Sequence, residues 1–338
     1  MKAVVLVGGE GTRLRPLTET IPKPLVPLVD RPSLDHVLDH LARHDVDEVV
    51  LSSSYLEETF HAFLEARHGV PATTWVTERD PLGTGGAIVH ALPHVGDEPF
   101  FAVNGDILTD LDLTAMLAFH HRRGAAVTIA LHRVEDARPF GLVPTGRDGR
   151  VLEFREKPTE LVPGEINAGT YLLDPAVLNR WPAGENVSIE REIFPALIAD
   201  GVPVYGFASD AYWLDLGTPE KYLQAHFDLL DGSVRDRSPL SSPRVDPGAS
   251  VDASARLGRH VVVGPDAVVG PDADIDESVL LAGATVEAGA IVRRSILGPR
   301  SRVGARAEVD GAVLAEGAVI ADGLDLVGAR VSANRRAT

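Results

Sequence analysis

Along the first hundred residues, short apolar runs alternate with stretches whose apolar positions fall at helical spacing. Residues 3–7 form an unbroken apolar run, as in a strand buried on both faces. Ser33 is the expected N-cap of a helix in which Leu34, Val37, Leu38 and Leu41 share one face. Residues 49–51 and 73–76 read as the next two strands, separated by a helical stripe of Leu56, Phe60, Phe63 and Leu64. A further stripe (Ala87, Ile88, Ala91, Leu92) precedes a fourth strand at 100–103. This alternation predicts an open, mostly parallel α/β sheet with ligands at the carboxyl ends of its strands.

The pattern then changes. Strand-like runs at 127–131, 142–143, 151–154, 166–173, 204–207 and 212–214 are separated by Gly, Pro and Asp turns, predicting a mixed part of the sheet that covers one side of the cleft. Ser188 is expected to cap a helix through Ile189, Ile193, Leu197 and Ile198. Thr218-Pro219-Glu220 is a clearer start, with an N-cap, a proline and an acidic first turn ahead of Tyr222, Leu223, His226, Phe227 and Leu230. His120 and His121, beside Arg122 and Arg123, read as a solvated helix face, and Trp213 reads equally as core packing or stacking on a ligand. Residues 231–243 turn polar, through Ser233, Arg235, Asp236, Arg237, Ser238, Ser241 and Ser242, and read as a linker.

From Val245 the chain repeats. Val245, Val251, Leu257, Val263, Val269 and Ile275 recur every six residues; the series runs on to Leu326 with every third step shortened to five. A small residue stands two positions before most of them, as at Ala267, Ala284 and Ser301. This is the hexapeptide pattern of a left-handed parallel β-helix, in which each aliphatic residue points inward and each coil buries its neighbour's edge. The expected boundaries are an α/β domain at 1–232, a linker at 233–244, the β-helix at 245–330 and a flexible tail at 331–338. Uncovered β-helix surface is available for pairing, so a homo-oligomer through residues 245–330 is expected, with that region contributing nothing to a reacting centre.

Composition narrows the chemistry. The 338 residues carry a formal charge of −17, which argues against nucleic acid or an anionic membrane surface as the main partner. There is no cysteine, and hence no disulfide or thiolate chemistry. No apolar stretch approaches the ~18 residues of a membrane span, and the apolar start is too short for a signal peptide, so a cytoplasmic protein is expected. Against this acidic background, the basic residues around the first loop stand out.

That loop is Gly8-Gly9-Glu10-Gly11-Thr12-Arg13-Leu14-Arg15-Pro16-Leu17-Thr18, followed by Pro22-Lys23-Pro24-Leu25. Three glycines in four residues permit a tight turn whose amides point at an anion, while Arg13, Arg15 and Lys23 add charge. It closes with no Gly-Lys-Ser/Thr and lacks the third glycine of G-x-G-x-x-G, so it is neither a P-loop nor a dinucleotide fingerprint. The full string resembles the signature of the sugar nucleotidyltransferases (nucleoside-diphosphate-sugar pyrophosphorylases). The resemblance extends through residues 81–86, Asn104-Gly105-Asp106, Phe140-Gly141, Glu156-Lys157-Pro158, residues 167–171 and residues 213–218. It implies a Rossmann-like, mostly parallel mixed sheet followed by the left-handed β-helix, and transfer from a nucleoside triphosphate to a hexose 1-phosphate with release of pyrophosphate.

By that resemblance, Gly8, Gly9, Gly11, Thr12, Arg13 and Lys23 bind the nucleotide, the glycine amides and Arg13 at the leaving pyrophosphate and Lys23 at the α-phosphate. Glu78 and Gly83 contact the base. Gly141, Glu156, Lys157 and Asn167 take the sugar phosphate, and Asp106 and Asp215 converge on one Mg²⁺. Arg13, Lys23, Asp106 and Asp215 are the catalytic set, and no general base is needed because the attacking phosphate is already ionised. A carboxylate at Glu78 suits the two donors on guanine's edge and repels pyrimidine carbonyls, which favours GTP, and with it mannose 1-phosphate. It could instead serve the ribose or a helix N-terminus. Thymidylyl or uridylyl transfer to glucose 1-phosphate and a non-catalytic sugar-nucleotide-sensing homologue remain the alternatives. Acyl transfer, which a hexapeptide β-helix also supports, would need a catalytic histidine; His260 is the only one in the repeat.

Overall fold

Among the described residues, the apolar runs of the first 209 positions assemble into a nine-stranded mixed sheet. The structure is a computed structural model that describes residues 1–53, 57–67, 69–235 and 240–338. Leu56 of the second helical stripe, and Asp236, Arg237 and Ser238 of the linker, lie outside the described residues. The sheet strands are β1 (Lys2–Leu6), β2 (Glu48–Ser53), β3 (Ala72–Thr77), β4 (Phe100–Asn104), β5 (Val127–Val134), β6 (Gly141–Leu142), β7 (Arg155–Glu156), β8 (Gly164–Leu173) and β9 (Val204–Ser209). They run in the order β7-β6-β8-β4-β1-β2-β3, with β5 also paired to β8 and β9 to β5. The strands β4, β1, β2 and β3 are mutually parallel, and β8 turns the sheet antiparallel against β4.

The helices are α1 (Ser33–Arg43), α2 (Glu57–Ala66), α3 (Gly83–Val95), α4 (Leu113–Arg123), α5 (Phe194–Ala199) and α6 (Pro219–Asp231). By packing, the chain forms two units: Met1–Gly9 with His36–Trp213, and Glu10–Asp35 with Leu214–Thr338. The core of the first joins Val4, Val50, Ile88, Phe100, Ala102, Ile129, Tyr171 and Phe194. Each such large side chain, when fully buried, stabilises the fold by roughly 1.5–3 kcal/mol.

Four local expectations change. Ser33 is the first residue of α1, and its hydroxyl donates to the Pro24 carbonyl at 2.9 Å, fastening the segment that carries Lys23. The run at 151–154 forms only an isolated bridge at Val151; Leu152 is exposed, and pairing resumes at β7. His120 is buried and faces Thr128 Oγ1 at 2.9 Å, because its helical position points under the sheet, while His121 is exposed. Burial holds its imidazole below the usual histidine range against the opposing pull of Asp174. The predicted caps at Ser188 and Thr218 hold, but the first turn after Ser188 is a π-turn, Ile189–Ile193.

In the second unit the repeat winds into three parallel sheets of six, six and five short strands. Val263, Val269, Ile275, Leu280, Val286, Val292 and their successors to Ile320 fill its axis, with Ala267, Ala284 and Ala307 beside them. Corners recur at residues in the left-handed region, among them His260, Asp266, Asp272, Gly289, Arg306 and Gly317. The expected flexible tail is not seen. Val331 is buried, Arg336–Ala337 pairs with Val319–Ile320, and the same five-then-six step carries Leu326 to Val331 and Ala337. The alanine in the last inward slot hid this continuation from an aliphatic pattern.

Candidate active site

In the first unit, the carboxyl ends of the parallel strands carry one group of the expected residues. Gly105, just past β4, donates its N–H to the Leu6 carbonyl at the end of β1. A Cβ on Gly105 would stand 2.9 Å from that oxygen, so only glycine lets the two strand ends meet. Asp106 follows at once and is half-buried. Gly8 lies past β1, with Ser53 of β2 3.7 Å from where a Cβ would stand.

Glu78 follows β3 and is buried. Its Oε1 accepts from Ser52 Oγ at 2.8 Å and its Oε2 from the Leu82 N–H at 3.1 Å. Leu82 is the N-cap residue of α3, so the carboxylate serves a helix N-terminus, one of the roles left open by the sequence. A second glycine loop, Gly83-Thr84-Gly85-Gly86, is equally tied to protein. Gly85 and Gly86 donate to the Val187 carbonyl at 2.8 and 3.0 Å, and Val187 donates back to Leu82. Gly83 has φ +67 with the Val187 carbonyl 2.9 Å from where a Cβ would stand. Thr84 Oγ1 donates to Glu190 at 2.6 Å, which locks the loop to the π-turn. These partners in 185–190 carried no signal in the sequence beyond the paired glycines.

The four sugar-phosphate candidates come together on adjacent strands. Glu156 of β7 pairs with Gly141 of β6, and Ile166 of β8, next to Asn167, pairs with Leu142. Lys157 has φ +50, donates its N–H to the Phe140 carbonyl, and places its exposed Nζ 3.7 Å from Glu156. Asn167 sits at a bulge in β8, where its Oδ1 accepts from Gly169 N and its Nδ2 donates to Tyr171 OH at 2.7 Å. Burial pushes the Tyr171 hydroxyl well above its ordinary pKa; the Glu190, Glu156 and Asp106 carboxylates add to this, against the Asn167 bond. Trp213 donates to the Ala168 carbonyl and stacks on His132, so it is packed within the protein.

The second unit holds the remaining group. Gly11 is left-handed, with Lys23 Cβ and Thr18 Cγ2 each 3.1 Å from where a Cβ would stand, and Thr18 Oγ1 donates to its carbonyl. Thr12 and Arg13 begin a short 3-10 turn, both exposed. Asp215 is buried, and its Oδ2 accepts from Lys221 Nζ at 2.8 Å. Burial raises its pKa, but the Lys221 bond and the charges of Lys221, Lys23 and Arg13 together outweigh this and hold the carboxyl below the ordinary value. Gly217 makes room for the cluster: a Cβ there would lie 2.3 Å from Asp215 Oδ1 and 2.8 Å from Arg13 Nη2. Oδ1 itself is buried and has no hydrogen-bond partner among the described residues. An ionised oxygen with open lone pairs fits a hard divalent cation.

Lys221 was missed in the sequence, although a signal existed. A lysine in the first turn of a helix opposes the helix dipole, which implies a carboxylate holding it there. The Lys23 segment is held by α6 in turn: Tyr222 OH donates to the Pro27 carbonyl, and the Val29 N–H donates to His226 Nδ1 at 3.2 Å. His260 is buried, stacked on Phe227 with its Nε2 2.9 Å from Asp231, so this imidazole is occupied in joining α6 to the first coil.

The nucleotidyl transferase family matches residues 2–232, and the GMPPB C-terminal domain matches residues 241–338. Mannose-1-phosphate guanylyltransferase of Mycobacterium tuberculosis is 42% identical over 260 residues, covering 75% of this chain and 72% of that protein. The mannose-1-phosphate guanylyltransferase catalytic subunit beta of Danio rerio is 38% identical over 270 residues, 77% and 74% of the respective chains. Among solved structures, HddC from Yersinia pseudotuberculosis superposes with a TM-score of 0.59 at 29% identity, over 66% of this chain and 97% of that one, and has also been solved with GMP-PN. With the signature loop, the glycine loop and the Asp215 cluster all in place, the chain belongs to the nucleotidyl transferase family and is a sugar nucleotidyltransferase with a C-terminal β-helix.

Proposed function

We propose that the chain transfers a guanylyl group from GTP to mannose 1-phosphate, giving GDP-mannose and pyrophosphate. The observation that carries the reading is the Asp215 cluster, a buried carboxylate with one unpartnered oxygen faced by Lys221, Lys23 and Arg13. The choice of substrates is supported by relatives named mannose-1-phosphate guanylyltransferase at 36–42% identity. A sugar-phosphate oxygen bonds to the α-phosphorus in line as the bond to the pyrophosphate oxygen breaks, so positioning and charge neutralisation carry the catalysis. Arg13 and the amides of Gly8, Gly9 and Gly11, with Thr12, hold the departing pyrophosphate, where charge accumulates. Lys23 steadies the α-phosphate. Lys157 holds the sugar phosphate, while Glu156, Asn167 and the Gly141 backbone orient the sugar hydroxyls. Asp106 and Asp215 would hold the divalent cation, Mg²⁺ in this proposal, whose bound charge offsets that of the triphosphate.

Glu78 is proposed to read the guanine edge, using lone pairs beyond those engaged by Ser52 and Leu82. Glu78→Gln separates the two duties. Its amide oxygen can still accept from Leu82 N–H, and Ser52 can turn its hydroxyl to accept from the new NH₂. The fastening then survives while the charged acceptor is lost, so GTP use should weaken by roughly 1–3 kcal/mol with pyrimidine triphosphates spared. Pyrophosphate release across four nucleoside triphosphates and several sugar 1-phosphates tests both points. Faster wild-type turnover with dTTP or UTP than with GTP would overturn the substrate assignment.

We propose also that the protein self-associates through its β-helix. A sedimentation coefficient of a monomer at micromolar concentration would refute this.

A further inference from the structure

The loop that carries Arg13 makes its hydrogen bonds largely to itself. Leu14 N donates to Gly11 O, Arg15 N to Thr12 O, and Glu19 N to Pro16 O. These close single turns and leave open what fixes the turns against the rest of the unit. Buried Leu14 and Leu17 supply an apolar anchor, but such contact is non-directional.

Directional bonds come from the other end of the chain. Arg330 Nη1 donates to the Arg15 carbonyl at 2.7 Å, across 315 residues of sequence. Ser332 Oγ donates to Glu19 Oε1 at 3.0 Å, and the Ala333 N–H donates to Glu19 Oε2 at 3.0 Å. Arg15 is the C-cap of the turn that bears Arg13, and Glu19 closes the next turn, so the last coil grips both. Arg330 Nη2 also lies 3.7 Å from Glu220 in the first turn of α6. The neighbouring residue there is Lys221, which bonds Asp215. One coil therefore touches both elements that present the cationic cluster.

Energetics argue that this is orientation more than bulk stability. Arg330 and Glu220 are 47% and 75% exposed in their side chains, and an exposed pair contributes little to folding. The Arg15 and Glu19 bonds each involve one charged group, and unlike apolar contact they are direction-specific. Arg330 and Val331 are themselves held in register by pairing with Val313 and Leu314 of the coil before.

We propose that the last coil of the β-helix is a positioning element for the phosphate-gripping loop, Arg330, Ser332 and the Ala333 amide setting Arg15 and Glu19 so that Arg13 is presented to the triphosphate. The proposal rests on the functional reading above. It replaces the expectation that the repeat region contributes nothing to the reacting centre.

The test uses the full-length protein with Arg330→Ala, Glu19→Ala and the conservative Arg330→Lys. Both alanine variants should raise KM for GTP about tenfold, leave KM for mannose 1-phosphate within twofold, and keep the urea unfolding midpoint near that of the wild type. Arg330→Lys, which retains a charged donor for the Arg15 carbonyl, should recover most of the loss. Amide exchange at Leu14, Arg15 and Glu19 should quicken at least tenfold in the alanine variants. Unchanged GTP kinetics together with unchanged exchange would overturn the proposal. So would a parallel rise in both KM values with a lowered unfolding midpoint, which marks general destabilisation. If the wild type turned over no substrate pair, the functional reading would fail separately. Calorimetric binding of MgGTP to wild type and Arg330→Ala would then decide, equal affinities refuting the coil's role.

Discussion

Gly86→Ala is a sharp probe of the second glycine loop, because two physical effects predict opposite signs. Gly86 lies in the first turn of α3, where alanine's better helix propensity would stabilise the protein by about 1 kcal/mol. A Cβ at that position, however, stands 2.1 Å from the Glu185 carbonyl oxygen. Relief requires the 185–187 segment to retreat by more than ~1 Å, since ordinary contact begins near 3.4 Å. The retreat breaks the bonds from Gly85 and Gly86 to the Val187 carbonyl and the return bond from Val187 to Leu82. Three neutral hydrogen bonds at about 1 kcal/mol each cost roughly 3 kcal/mol, leaving a net loss of about 2 kcal/mol after the propensity gain. Urea unfolding followed by far-ultraviolet circular dichroism measures it. A midpoint at or above that of the wild type would show that the loop is not pinned to 185–187 and would refute the argument.

Two further outcomes follow from the second unit. His226 is fully buried, and its burial lowers its pKa to about 3 from 6.5 despite a favourable carbonyl contact at Pro27. The unfolded chain therefore takes up a proton that the folded chain refuses, and the contribution is whole above pH 6.5 and lost on acidification, at about 1.4 kcal/mol per pH unit towards pH 3. Unfolding measured from pH 7 to pH 4.5 should show a steeper loss in wild type than in His226→Asn, whose Oδ1 can replace Nδ1 as acceptor for Val29; equal slopes would contradict it. Asp215→Ala should abolish pyrophosphate release and cost less than about 2 kcal/mol of stability, since its partner Lys221 is one-third exposed and rehydrates. Near-normal turnover of that variant with Mg²⁺ would remove Asp215 from the catalytic set.

What the sequence made legible was whatever repeats or alternates. The parallel strands and the hexapeptide series could be read because burial on a regular geometry forces a period on the side chains. Residues whose role depends on a partner distant in sequence could not be read in that way. Glu78 was assigned to the base, yet its visible bonds are to Ser52 and Leu82, and no local pattern distinguishes those uses of a carboxylate. The glycines at 85 and 86 entered only as part of the family resemblance at 81–86 and are required by the approach of Glu185 and Val187. His120 looked like one of a basic surface pair because its burial comes from Thr128 on the neighbouring strand β5. Lys221 and Arg330 were overlooked for the same reason, although Lys221 offends the dipole of its own helix and so left a trace.

The fixed pitch of the β-helix gives it a property beyond folding, that of a ruler. After a first turn of eighteen residues, each coil advances by seventeen, as Val262 pairs with Val279 and Val279 with Ile296. The six strands of its first sheet span five spacings, about 24 Å at ~4.8 Å apiece. Removing seventeen residues from the middle would keep every corner and inward slot in phase, so the helix would remain well made. It would nevertheless withdraw Arg330, Ser332 and Ala333 from Arg15 and Glu19 by one spacing, more than any of those bonds can stretch. The number of coils is thereby set by the distance from the carboxyl end of α6 to the loop, and a chain of this kind is free to drift in surface sequence along the prism while its length is held to whole units of that measure.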